Sequence, residues 1–293
     1  MFCDNEGVNM KWRETVWMAV AWMCVVGAAQ AQTPSHQGMR YEAQRVPSSG
    51  ATVSRSEAKD VAEAPVTDDT DPCSSEKPAM KPVSKPVHVR TIVIDPGHGG
   101  ENEGAIGVAR IHEKYLTLQV AQLLADRLRE LLPDVEIVLT RQRDESISLS
   151  ERIEVANRLN ADLFLSLHFN NSLNPLAIGF ESFWGGDYWA ADMQKAGEEI
   201  TDEIRELRTR TGAASERMGR CFNHAMRHRF DVLDRGVKTG DYTVLTRAKV
   251  PAVVLEMAFL SHAEEGMSAV RPDYQARLVQ ALTDAVMNYV NGL

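Results

Sequence analysis

From about His88 to Leu293 the chain alternates short β-rich runs with longer segments of helical periodicity, and this alternation constrains the fold more than any other feature. Thr91-Ile-Val-Ile-Asp95 is a β-rich run that stops at Pro96-Gly97. Asp162-Leu-Phe-Leu-Ser-Leu-His168 and Ala252-Val-Val-Leu-Glu256 are near-continuous apolar runs, the pattern of strands covered on both faces. Val135–Thr140, Gly179–Phe183 and Tyr242–Leu245 read as further strands. Between them, Leu116, Val120, Leu123, Leu124, Leu128 and Leu131 fall on one face of a helix. Ser148 and Glu151 form a capping box that opens a helix ending at Leu159, and a last helix runs from about Pro272 to Val290. The expectation is an α/β domain: a mainly parallel, twisted sheet with helices on both faces.

The first 87 residues follow a different logic. Lys11 and Arg13 precede the apolar stretch Val16–Ala29, and small residues follow in the pattern Ala29-Gln30-Ala31. This order of charge, apolar run and small residues reads as an export signal over residues 1–31, cleaved after Ala31. The run is short for a membrane span of about 20 residues, and Gln30 and Gln32 end it. Asp4 and Glu6 suit a signal poorly, which makes Met10 an alternative start. Residues 32–87 lack apolar periodicity and end in Lys77-Pro, Lys81-Pro and Lys85-Pro. Such a stretch buries too little apolar surface to offset its ordering entropy and reads as a disordered, semi-stiff linker. The catalytic domain is expected over 88–293, with no membrane span once the signal is removed. Cys3, Cys24, Cys73 and Cys221 form no CxxC pair, so a thiolate metal knuckle is not supported. A Cys73–Cys221 disulfide is conceivable after export, two separate thiols being the plainer reading. A formal net charge of -9 argues against nucleic acid as a partner, because phosphates call for a basic surface.

In open parallel sheets, ligands bind beyond the carboxyl ends of the strands. His98 lies just after the first strand in Asp95-Pro-Gly-His-Gly-Gly100, His168 ends another, and Glu256 ends a late one. Glu113 stands just before the first long helix. The glycine-rich turn is no phosphate loop: it lacks GxxxxGK[ST], and no GxGxxG opens the next helix. Two histidines, one carboxylate and an open position form a hydrolytic zinc set, in which the metal brings the pKa of its water to about 7. Taken singly, each residue has a structural reading, and His112, His224, His228 and His262 stay open as rival ligands. Glu113 could serve only as an acid at a helix N-terminus.

From about Arg90 to Leu293 the chain resembles the zinc-dependent N-acetylmuramoyl-L-alanine amidases of the amidase_3 type. The matching segments include Ile94–Gly100, Glu113–Leu116, Leu139–Asp144, Leu149–Arg152, Ala161–Asn170, Gly179–Glu181, Arg235-Gly-Val-Lys238 and Pro251–Glu256, in the family's order. The resemblance implies a phosphorylase/hydrolase-like fold, one zinc on His98, Glu113 and His168, and Glu256 as general base and then acid. It implies hydrolysis of the amide between N-acetylmuramic acid and L-alanine in peptidoglycan and leaves room for an activator protein; the export signal places the chain, expected to be a monomer, in the periplasm or outside the cell. Met257-Ala258 stands where the family usually has a glycine, and His262 where it often has Asn. Arg141 and Arg152 match family positions and read as structural ion-pair residues. The rival classes are a zinc peptidase with similar ligands, against which the Asp95–Gly100 and Ser166–Asn170 segments speak, and a wall-binding module that has lost catalysis, against which the intact set of His98, Glu113, His168 and Glu256 speaks.

Residues 186–231 are highly charged, with an apolar stripe at Ala196, Ile200, Ile204 and Leu207 that predicts an amphipathic helix. The favoured reading is a surface helix packed on the sheet. The sharper one, taken from family members held inactive by a helix, places Glu199 over the zinc as a removable latch.

Overall fold

The computed structural model of the chain describes residues 86–292. The expected export signal and all but the last two residues of the expected linker lie outside the described residues, as does Cys73. Six strands form one sheet: β1 (Thr91–Pro96), β2 (Glu136–Leu139), β3 (Leu163–Asn170), β4 (Phe180–Trp184), β5 (Asp234–Thr239) and β6 (Ala252–Phe259). Seven helices surround them: α1 (Glu113–Leu131), α2 (Leu149–Leu159), α3 (Tyr188–Ala196), α4 (Asp202–Arg229), α5 (Thr243–Thr246), α6 (Ala263–Ala269) and α7 (Pro272–Val290).

The strand order is β2-β1-β3-β6-β4-β5. Four of the five pairings are parallel, and β4 runs antiparallel to β6. The mainly parallel sheet expected from the alternation is therefore present, with the β4–β5 pair reversed.

Strand periodicity divides the core in two. Ile92, Ile94, Leu163, Leu165, Leu167, Val253 and Leu255 face the larger cluster, where α1, α4 and α7 supply Leu116, Leu124, Phe222, Met226, Leu278 and Leu282. The alternate positions Val93, Phe164 and Val254 face a smaller cluster with Ile153 and Ala156 of α2 and Val244 and Leu245 of α5. The helices therefore cover both faces. Continuing the same alternation toward the carboxyl ends brings Asp95, Ser166, His168 and Glu256 onto the second face, beyond its thinner helical cover.

Of the helical face read from the sequence, Leu116, Val120, Leu124 and Leu128 are buried, Leu123 is part-buried and Leu131 is exposed. The capping box at α2 forms in full: Ser148 Oγ accepts from the Glu151 amide at 3.2 Å, and the Glu151 carboxylate accepts from the Ser148 amide at 2.9 Å. A cap of this kind is worth about 1 kcal/mol.

One expected strand is absent and another takes its place. Tyr242–Leu245 is not a strand; Thr243–Thr246 is the short helix α5, which packs Val244 and Leu245 into the smaller core. The sixth strand is instead Asp234–Thr239, an edge strand with no fully buried residue. An edge strand open on one side needs no apolar run, so the sequence carries little strand signal there.

The segment 186–231 forms α3 and α4. The second half of α4 buries Met218, Cys221, Phe222 and Met226 in the larger core, and the burial of Cys221 pushes its thiol up to about 11. The expected stripe is split: exposed Ala196 ends α3, exposed Glu199 and part-buried Ile200 lie in the connection after Gly197 caps that helix, and only Ile204 and Leu207, both part-buried, fall on α4. The surface-helix reading is the one the fold bears out. None of the described residues is in a helix long and apolar enough to cross a membrane.

Candidate metal centre

The chain leaves β1 at Pro96 and turns at once, and His98 takes a left-handed φ of 60° that an ordinary residue adopts only when held. Two buried arginines hold it. Arg152 donates to the carbonyls of Pro96 at 2.7 Å and His98 at 2.6 Å and pairs with Asp95 at 2.8 Å. Arg141 donates to the carbonyls of Pro96 at 2.9 Å, Gly97 at 2.7 Å and Lys114 at 2.8 Å. Arg152 is thus the structural ion-pair residue expected, whereas Arg141 gives its guanidinium to backbone carbonyls. Burial, with Arg152 nearby, pushes Arg141 down to about 10, still charged at neutral pH. Asp95 also accepts from Thr140 Oγ1 at 2.5 Å and Ser166 Oγ at 2.8 Å, so this buried charge is fully partnered.

Two glycines are required by close approach. A Cβ on Gly97 would lie 2.3–2.7 Å from the His168 ring. Gly104, at φ +68°, would bring one within 2.7 Å of both Glu113 Oε2 and the His98 ring.

The three expected ligands meet. Glu113, first residue of α1 and buried, places Oε2 3.0 Å from His98 Nε2 and Oε1 3.0 Å from His168 Nδ1. The ligand atoms of His98, Glu113 and His168 all lie within 4.8 Å of one another. The two rings meet edge to face with centroids 4.8 Å apart. The Ala105 and Phe169 amides, each at 2.9 Å, fix the two Glu113 oxygens from behind. Asn102 Oδ1 lies 2.8 Å from His98 Nδ1 and has no donor to offer there, so Nδ1 carries the proton and Nε2 is left as a ligand atom.

The electrostatics favour a cation at this point. Burial would raise the Glu113 pKa, but the bonds to His168 and His98 outweigh it and hold the carboxyl well below the usual range. Burial would lower the His168 pKa, but the Glu113 bond and the Glu256 charge outweigh it and raise it. In a tetrahedral zinc site with bonds of about 2.1 Å, ligand atoms stand about 3.4 Å apart. Each histidine stands 3.0 Å from a Glu113 oxygen and the three ligand atoms lie within 4.8 Å of one another, a spread that brackets this spacing, so the residues present fit the ion.

Glu256 stands beside this triad as the register partner of His168. Its Oε2 is buried and has no hydrogen-bond partner. Burial pushes its carboxyl up to about 7, with Glu113 and Glu181 adding to the effect and His168 and His98 opposing it. A cavity of about 360 Å³ opens here, lined by His98, His168 and Glu256 on one side and by Leu149, Tyr242 and Val244 on the other. No residue from 186 to 231 lines it, so Glu199 is no part of the site.

The rival histidines have other places. His112 precedes α1 with Nδ1 3.3 Å from Glu103. His224 and His228 pair with each other on α4, centroids 4.2 Å apart. His262 caps α6, accepting from the Glu265 amide at 3.3 Å, a role Asn also performs well. The sequence assigns no role to Asp95 or Glu181, although both stand at or in expected strands, and Asn102 lies in a loop that carries no periodic signal.

Comparison with known proteins shows the family of the chain. The Amidase_3 family model, N-acetylmuramoyl-L-alanine amidase, matches residues 92–288. The N-acetylmuramoyl-L-alanine amidase LytC of Bacillus subtilis (strain 168) is 32% identical over 210 residues, covering 71% of this chain and 37% of LytC. The N-acetylmuramoyl-L-alanine amidase AmiA of Escherichia coli (strain K12) is 28% identical over 221 residues, covering 68% of this chain and 76% of AmiA. The crystal structure of an N-acetylmuramoyl-L-alanine amidase from Clostridium difficile 630 superposes with a TM-score of 0.57 at 28% identity, over 69% of this chain and 96% of that one. The chain belongs to the Amidase_3 family of N-acetylmuramoyl-L-alanine amidases and is a hydrolase of that class.

Proposed function

We propose that this enzyme uses one zinc ion, held by His98, Glu113 and His168, to hydrolyse the amide joining N-acetylmuramic acid to the L-alanine of the peptidoglycan stem. The observation that carries the reading is the pairing of a converging His–Glu–His set with a buried, unpartnered Glu256 oxygen on the next strand. When bound, zinc supplies Lewis acidity toward the scissile carbonyl and eases deprotonation of water. Glu256 accepts the proton of the attacking water as the C–O bond forms. It then gives that proton to the alanine nitrogen as the C–N bond breaks, releasing a carboxylate on the muramic acid and an amine on the peptide. A carboxyl shifted to about 7 suits both halves of this exchange near neutral pH. Asn102 holds the ring of His98 and the strand register holds that of His168, so both imidazoles are kept beside Glu113.

We read the chain as exported, with residues 1–31 as signal and 32–87 as a tether that lets the domain reach the wall in the periplasm or outside the cell. The test of the function is mass spectrometry of a digest of purified peptidoglycan by the zinc-loaded domain. The expected products are peptides beginning with a free L-alanine amine, alongside peptide-free glycan strands. Cleavage within the stem peptide or the glycan instead would replace this reading.

A further inference from the structure

On the open face of β4 and β5, next to Glu256, lies a charge cluster that bond cleavage itself does not use. Glu181 on β4 is the antiparallel register partner of Glu256. Its buried carboxylate accepts from Asn170 Nδ2 at 2.6 Å, from Arg235 Nε at 3.3 Å and from Lys238 Nζ. Two cations thus meet one carboxylate, leaving one positive charge in excess among the three. Neither cation is fully engaged. The other contact of Arg235, Nη1 to the Ile178 carbonyl, is 3.5 Å long, and a guanidinium has five N–H donors in all. The side chains of Arg235 and Lys238 are 31% and 41% exposed. The Phe259 ring centroid lies 5.0 Å from the Arg235 guanidinium carbon and the Phe183 ring centroid 5.8 Å from Lys238 Nζ, contacts that hold both cations against the sheet. An arginine fork and an ammonium placed together are suited to a carboxylate.

We propose that Arg235 and Lys238 bind the free α-carboxylate of the second stem-peptide residue and make this enzyme selective for stems in which that carboxylate is not amidated. The proposal rests on the amidase reading above. In peptidoglycan the second residue is a glutamate continued through its side-chain carboxyl, which leaves its α-carboxylate either free or converted to the amide. Two strand spacings of about 4.8 Å separate β6, which bears Glu256, from β5, which bears both cations. The second residue reaches about 7 Å from the scissile nitrogen at about 3.5 Å per residue, and the long arginine and lysine side chains span the remainder. Glu181, held between the two cations, keeps them on this face and limits the net charge there to what one carboxylate can neutralise.

The test compares kcat/KM of the zinc-loaded domain on uncross-linked glycan strands carrying either D-isoglutamate or D-isoglutamine at the second position. The wild type is expected to favour the free acid by about tenfold or more, the scale of a charge-assisted bidentate contact. In Arg235→Gln and in Lys238→Gln the ratio of the two values falls toward one, mainly through KM on the acid strand. Because losing Arg235 leaves Glu181 short of a partner, Arg235→Lys serves as the folded control: it keeps the charge, loses the fork and is expected to show an intermediate ratio. Equal rates on both strands in the wild type, or an unchanged ratio in the variants, overturns the proposal. Cleavage of neither strand overturns the amidase reading, and the proposal with it.

Discussion

His168 on β3 and Glu256 on β6 stand directly opposite one another in parallel register, so their side chains leave the same face of the sheet from strands about 4.8 Å apart. The sheet itself therefore sets the spacing between one proposed ligand, His168, and the proposed proton carrier, Glu256. Glu113 then closes the triad from the start of α1, and Asn102 sets the imidazole of His98.

This placement makes Glu256→Gln informative in two ways. The variant is expected to keep zinc and to lose about 10²-fold or more in kcat, the usual scale of general acid–base catalysis. In the metal-free domain the same change should stabilise the fold. A folded-state pKa of about 7, raised from 4.5, contributes stability present below pH 4.5 and lost as pH rises through 7. Gln carries no such dependence, so above pH 7 the variant is expected to be more stable by about 3 kcal/mol, and near pH 4 no different. Thermal unfolding in chelator at both pH values measures this; equal stability of the two proteins at pH 8 would show that the carboxyl is not held in a desolvated site.

Asn102→Ala removes the acceptor that keeps the His98 proton on Nδ1. Zinc affinity is expected to fall about 10- to 100-fold, with Asn102→Asp retaining most of it. Competition against a chelator of known affinity reads the change. Unaltered affinity in the alanine variant would mean that the Arg141 and Arg152 clamps alone orient His98.

Gly97→Ala places a methyl where the His168 ring lies. The ring must move, and a ligand displaced by about 1 Å is expected to reduce turnover about 10²-fold. Zinc content and activity measured on the same sample check this. Wild-type values for both would show that the turn, and not the ring, gives way.

Replacing Glu198 and Glu199 by Ala is expected to leave activity within a factor of about two, as for surface positions remote from a site. A rise of tenfold in the initial rate would revive the latch over the metal.

What the sequence revealed, and what it hid, has a physical pattern. β1, β3 and β6 are central strands buried on both faces, so their apolar runs are unmistakable, and the histidines and Glu256 at their ends follow from strand periodicity. β5 is an edge strand with part-buried polar residues, and it escaped notice as a strand although Arg235-Gly-Val-Lys238 stood out as a motif. Tyr242–Leu245 looks β-rich because Thr and Val favour strands, yet packing of Val244 and Leu245 under β6 holds it as a helical turn. Asn102 and the carbonyl-binding role of Arg141 depend on loop geometry, which no local spacing encodes.

The proposed activity depends on one metal at the His98–Glu113–His168 site. The direct measurement is titration of zinc into chelator-stripped domain, with wall hydrolysis followed at each addition. Activity is expected to rise from the stripped baseline and to level off at one zinc per chain in the wild type, while Glu113→Ala, which removes the central ligand, neither binds that equivalent nor recovers hydrolysis. Full activity in the stripped protein, or one tightly bound zinc retained in Glu113→Ala, would contradict it.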